Sequence, residues 1–153
     1  MSSESVEADR GRPGTELTDR LGYLLKHAQH RLTALTSAAL EPFGVSGREI
    51  AVLLVLDALG PSSQREAAAR LGVDRTTMVG LVDGLEAKGI VVRAPFALDR
   101  RRNVVSFTED GHARFRRALA ASDAAEREFL GPLDEAAAAV FRARLRALIG
   151  EPE

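Results

Sequence analysis

The stretch Gln64–Asp83, QREAAARLGVDRTTMVGLVD, decides how the rest of the chain is read. Ser63 stands just before it as a helix cap, with Glu66 three residues on at the capping-box position. Ala68 is small, Gly72 follows four residues later, and Leu71, Val73, Met78 and Leu81 are apolar. Two short helices that cross steeply need a small residue at their contact and a positive φ in the turn between them. Ala68 supplies the first and Gly72 the second. Asp74 caps the second helix and Gly89 closes it. The apolar positions pin that helix and leave its first turn, Arg75, Thr76 and Thr77, exposed at the end that enters a major groove in DNA-binding proteins of this pattern. The stretch predicts a helix-turn-helix.

Two β-branched runs follow, IVVRA (90–94) and NVVSFT (103–108), and read as a hairpin. Between them lies LDRRRN (98–103), so the three arginines fall in the hairpin's loop. Alone, a run of like charge is a solvated face; behind a helix-turn-helix, on a two-stranded ribbon, it is the tip of a wing. Residues 64–103 hold eight Lys/Arg against five Asp/Glu, a local balance of 8 − 5 = +3 in a chain of net charge −1. That distribution, rather than the sum, bears on a nucleic-acid partner. Ser63, Gln64 and Arg65 open the first helix of the motif, where amides and polar side chains favour phosphate, although simple capping explains Ser63 equally well. Arg75, Thr76 and Thr77 are the candidates for base edges or nearby phosphates. Arg101 is the candidate for a narrow minor groove, with Arg100 or Arg102 on phosphate.

Outward from this unit the chain is helical. Leu17, Leu21, Leu24, Ala28, Leu32, Leu35 and Ala39 draw one apolar stripe, which predicts a helix from residue 17 with Thr15 or Thr18 as its cap. EPFGVS breaks it, and Ser46 with Glu49 forms a second capping box ahead of REIAVLLVLDALG, apolar nearly all round and therefore central to the core. Thr108 caps a long helix in which Gly111 is a weak spot. LDEAAAAVFRARLRALIG forms the last helix, with Phe141, Leu145 and Leu148 on one face. The terminal helices carry more apolar surface than the small central unit needs, which points to mutual packing and to a second copy. Residues 1–15 are polar, with no periodicity, and are expected to be disordered.

The composition excludes several function classes. There is no cysteine, hence no disulfide, thiolate catalysis or thiolate metal site. The N-terminus has neither the apolar core of a signal peptide nor the basic amphipathic character of a transit peptide, and no apolar run is long enough to span a bilayer. The expectation is a cytoplasmic protein with no membrane partner. A Gly-rich phosphate loop, a serine elbow and a paired acid site are all lacking, so neither an enzyme nor a cofactor is expected. His27 and His30 are three apart on one helix but have no clear third ligand, and no metal site is assigned. The competing reading of another class is a winged-helix module that grips an acidic protein through the same basic wing.

LGVDRTTMVGLVDGLEAKGIVVR followed by LDRRRNVVSFTEDG resembles the MarR family of winged-helix transcriptional regulators. The family's wing carries Asp-Arg-Arg, then an apolar residue, Thr and a closing Gly, matched here by Asp99, Arg100, Arg101, Phe107, Thr108 and Gly111. The resemblance is close over 46–111 and extends to the flanking helices. It implies a mainly α fold of about six helices and a β-hairpin wing. Its parts are a DNA-binding unit at 46–108 and a helical dimerisation domain from 16–45 and 109–150. It further implies a homodimeric repressor on a pseudo-palindromic operator, released by a small aromatic or acidic effector bound between dimer domain and head, where Tyr23, Lys26 and His27 are the candidates. Val79, Gly80 and Gly84 depart from the family pattern. An arginine at position 84 commonly anchors the wing aspartate, so Asp99 must brace the wing through another partner, such as Arg101 or Arg75.

Overall fold

The computed structural model describes residues 15–150. Its elements are α1 (Thr15–Thr18), α2 (Leu21–Leu40), α3 (Gly47–Leu59), α4 (Gln64–Leu71), α5 (Arg75–Ala87), β1 (Val91–Phe96), β2 (Asp99–Phe107), α6 (Glu109–Leu130) and α7 (Glu135–Ile149). The tail expected to be disordered lies outside the described residues, except for Thr15, which opens α1. The first predicted helix is in fact two pieces. The chain leaves the helix at Asp19 and Arg20, a break that no glycine or proline there announces, and α2 begins after Arg20 with no side-chain cap. The N-cap position of the long helix is Arg20 rather than Thr15 or Thr18.

The three caps of the central unit form as their sequences dictate. Ser46 Oγ accepts from the Glu49 N–H and Glu49 accepts in return from the Ser46 N–H. Ser63 and Glu66 repeat the arrangement at α4. Asp74 Oδ1 accepts from the Thr77 N–H at α5. Each satisfies amides that a helix start otherwise leaves bare. Gly72 turns the chain between α4 and α5 at φ +67°, a conformation that costs glycine nothing. The core centres on α3, whose Val52 and Leu53 are fully buried, and takes in Met78, Val82 and Leu85 of α5, Ile90, and Phe115 of α6. Leu54 and Leu59 of α3 remain exposed, so burial of that helix is less complete than its composition predicts.

Two expectations fail at the wing and just beyond it. The arginines are in strand β2, not in a loop; the turn is only Ala97–Leu98. The antiparallel ladder runs from Val91↔Phe107 to Pro95↔Asn103 and then slips to Phe96↔Asp99. Arg100, Arg101 and Arg102 therefore form a three-residue bulge with no partner opposite. Pro95 fits at the edge of this slip at no cost to the ladder, because its position, like that of Arg93, directs the backbone nitrogen away from β2. Gly111, in turn, is not a weak spot but a close approach. A Cβ there would sit 1.9 Å from the Ile90 carbonyl oxygen.

Candidate nucleic-acid interface

α4 and α5 enclose an open groove of about 720 Å³, walled by Gln64, Arg65, Ala68, Val73, Arg75 and Met78. The core stripe of α5, Met78, Val82 and Leu85, faces inward, which leaves Arg75, Thr76 and Gly80 outward. Of the predicted base-reading turn, Arg75 and Thr76 are exposed. Thr77 is not free: it is half-buried and its hydroxyl donates to Asp74 Oδ2 at 2.7 Å, inside the cap. Those bonds, from the Thr77 hydroxyl and then its amide, hold the Asp74 carboxyl below the usual range. Ser63 is committed to its cap as well, donating its hydroxyl to Glu66 at 2.8 Å.

The wing is attached to the helix-turn-helix through residues that pattern reading missed. Arg93 of β1 donates to Asp83 Oδ1 and Glu86 Oε2, each at 2.5 Å, and to Gln64 Oε1 at 2.8 and 3.2 Å. One guanidinium thus spans both helices of the motif. Partial burial works against its charge, but the hydrogen bonds of Asp83 and Glu86 outweigh that and raise its pKa. The Arg93 backbone N–H, followed by its side chain, lowers the Glu86 carboxyl. Arg102 donates to Glu66 Oε1 at 3.0 Å and lies 5.8 Å from the Phe96 ring centroid. Ser62 exchanges backbone hydrogen bonds with Val105 and pins the base of β2. The available signal was Arg93 itself, a lone charge inside a β-branched run, with Asp83 and Glu86 three apart on the preceding helix.

Asp99 accepts from the Arg101 backbone N–H at 3.1 Å, an Asx turn that shapes the bulge. No guanidinium pairs with it among the described residues. A Cβ on Gly84 would meet Glu49 Oε1 at 3.2 Å. That carboxylate has 9% of its side chain exposed and binds Lys88 Nζ at 2.7 Å. Burial raises its pKa, yet Lys88 and the Ser46 amide more than reverse this, and it stays charged below the usual carboxylate range.

The charge balance now has a spatial meaning. All five acids of residues 64–103 have internal partners: Glu66, Asp83 and Glu86 in ion pairs, Asp74 in a cap, Asp99 in a turn. Of the eight cations, Lys88, Arg93 and Arg102 are paired. Arg65, Arg70, Arg75, Arg100 and Arg101 have no ion-pair partner among the described residues and are exposed. The positive charge of this unit is thus left on five exposed guanidinia, of which Arg65 and Arg75 line one groove.

The effector candidates are placed differently. The Tyr23 and His27 rings are in tilted contact with centroids 4.1 Å apart, and Lys26 is exposed on the same helix. An apolar cavity of about 270 Å³ lies among α2, α6 and α7, lined by Leu25, Leu32, Phe129, Phe141 and Leu145, with Arg142 at its edge. Tyr23, Lys26 and His27 do not line it, and it sits within the terminal helices rather than between them and the head. Among the described residues no three His, Asp or Glu side chains converge on a metal-sized site, and no helix is long and apolar enough to cross a membrane.

Residues 43–102 match the model of the MarR family. The HTH-type transcriptional repressor NicR of Pseudomonas putida KT2440 is 35% identical over 99 residues, 64% of this chain; the match spans 62% of NicR, less than two thirds of its length. Two solved structures are similar over most of their length. CouR from Rhodococcus jostii RHA1, bound to p-coumaroyl-CoA, is 32% identical, with 86% of this chain and 93% of that chain covered at a TM-score of 0.75. The Mycobacterium tuberculosis MarR family protein Rv2887, in complex with DNA, is 30% identical, with 84% and 97% covered at a TM-score of 0.71. A winged helix-turn-helix carrying exposed arginines, flanked by long terminal helices and matched in this way, belongs to the MarR family of transcriptional regulators.

Proposed function

We infer that the chain is a cytoplasmic, homodimeric repressor, not an enzyme. It binds double-stranded DNA of defined sequence through α5 and the wing and is released by a small effector. The observation that carries this reading is the β2 bulge, which leaves Arg100 and Arg101 exposed and unpaired on a ribbon tied to the helix-turn-helix. Arg75 and Thr76 serve the major groove and Arg101 the minor groove, with Arg65 and Arg100 on phosphate. Ser63, Gln64, Thr77 and Arg102 act mainly within the protein. The relatives support both halves: Rv2887 in complex with DNA, CouR with p-coumaroyl-CoA. The exposed apolar residues of α1, α2 and α7, including Leu17, Leu21, Leu148 and Ile149, support a second copy as their cover.

Selection from a random duplex pool tests the reading. A defined half-site should emerge and outcompete random duplex by about a thousandfold or more. In the same titration at fixed salt, Arg101→Ala should weaken binding about tenfold and leave the fold intact. No enrichment, or equal competition by any polyanion, would favour the acidic-protein reading instead. Aromatic acids and their thioesters are the first compounds to screen for release of the selected duplex.

A further inference from the structure

We propose that Arg93 is the positioning residue of the wing and that Arg102 belongs to the same brace, so that of the three arginines in the bulge only Arg100 and Arg101 reach DNA. This rests on the DNA-binding reading above. A two-stranded ribbon is barely stable alone and swings about its base unless it is held. Here the ribbon has two side-chain fastenings. Arg93 joins β1 to Asp83 and Glu86 of α5 and to Gln64 of α4. Arg102, at the end of the bulge, joins β2 to Glu66 of α4 and covers the Phe96 ring. The planar, forked guanidinium suits this role because it serves several acceptors in fixed directions. Between the two fastenings the bulge has only Asp99 to shape it, and Arg100 and Arg101 point away without partners. Fixing the ribbon against α5 fixes the distance between the two DNA-reading elements. The fastening is made from β1; a Cβ at position 84 would instead meet the buried Glu49 carboxylate at 3.2 Å.

The test is a double-mutant cycle read by fluorescence anisotropy on the selected duplex at fixed salt. Arg93→Ala should weaken binding about tenfold in the wild-type background and less than twofold when Arg101 is already alanine. Equal losses in both backgrounds would mean that Arg93 does not act through the wing arginines, and would overturn the proposal. Glu86→Ala gives an independent reading with opposite signs. It adds one positive unit near the DNA, so simple Coulomb attraction predicts tighter binding. Loss of an Arg93 partner predicts several-fold weaker binding, and tighter binding would sink the proposal even if Arg93→Ala fails to fold. Arg93→Lys should restore only part of the affinity, since an ammonium is a point charge without the fork. If the wild type selects no duplex at all, the DNA-binding reading fails before this one is reached.

Discussion

At the scale of single residues, the decisive contacts are those in which a small or charged side chain meets something distant in sequence. Gly111 shows this most sharply. Thr108 donates its hydroxyl to the Gly89 carbonyl at 2.7 Å and its amide to Ile90 at 3.0 Å, drawing the start of α6 onto the end of α5. There is no room for a Cβ. Gly111→Ala should therefore destabilise the protein by about 1–3 kcal/mol, as overpacking does, in a urea titration. An unchanged midpoint would mean that the junction yields freely. Composition marked Gly111 as a flaw because helix propensity is local, whereas the reason for the glycine is a carbonyl 21 positions upstream. Arg93 escaped notice for the same reason: its partners lie 7, 10 and 29 residues away. The helix-turn-helix was legible because its determinants, two caps, a turn glycine and a small contact residue, sit within about one turn of the backbone they control.

At the scale of elements, helix ends and strand register behaved differently. The caps of α3, α4, α5 and α6 were readable, and each carboxylate that serves at the starts of α3, α4 and α5 is held below its ordinary pKa. For Asp74 the Thr77 hydroxyl and amide do this; for Glu66 the Ser63 amide, then its hydroxyl. A depressed carboxylate contributes stability above its unfolded pKa, about 4, and loses it as pH falls through the lower folded value. Asp74→Ala should therefore melt below wild type at pH 7, and the gap should close toward pH 3. A gap independent of pH would remove the charged cap from the account. The wing's register was not readable. Alternation fixes which strands pair, but the slip depends on where the two-residue turn at Ala97–Leu98 falls, and alternation does not mark that. The arginines thus moved from a loop into a bulge of β2. The break at Asp19–Arg20 carried no composition signal either.

At the scale of the whole molecule, apolar surface lies where the single chain does not use it. Leu148 is 75% exposed and Ile149 68%, on a helix with no buried residue. With a second copy as the cover, Leu148→Glu with Ile149→Glu should give a monomer in sedimentation. Affinity for the selected duplex should drop about a hundredfold or more, because two linked heads bind far better than one. A dimer that persists would place the interface elsewhere. The intact dimer should protect two major grooves roughly 10 bp apart, whereas a footprint over a single half-site would contradict paired heads.

The tight seat of Gly111 has a mechanical consequence at this largest scale. α6 has 22 residues, a rod roughly 33 Å long, clamped at one end to the close of α5 and the root of the wing. A clamped rod transmits angle rather than compression. A tilt of about 5° at that pivot carries the far end about 3 Å, close to the rise of one base pair. The direction of the rod is therefore fixed at its seat, and any change in the packing of Gly111 on Ile90 is magnified at the far end.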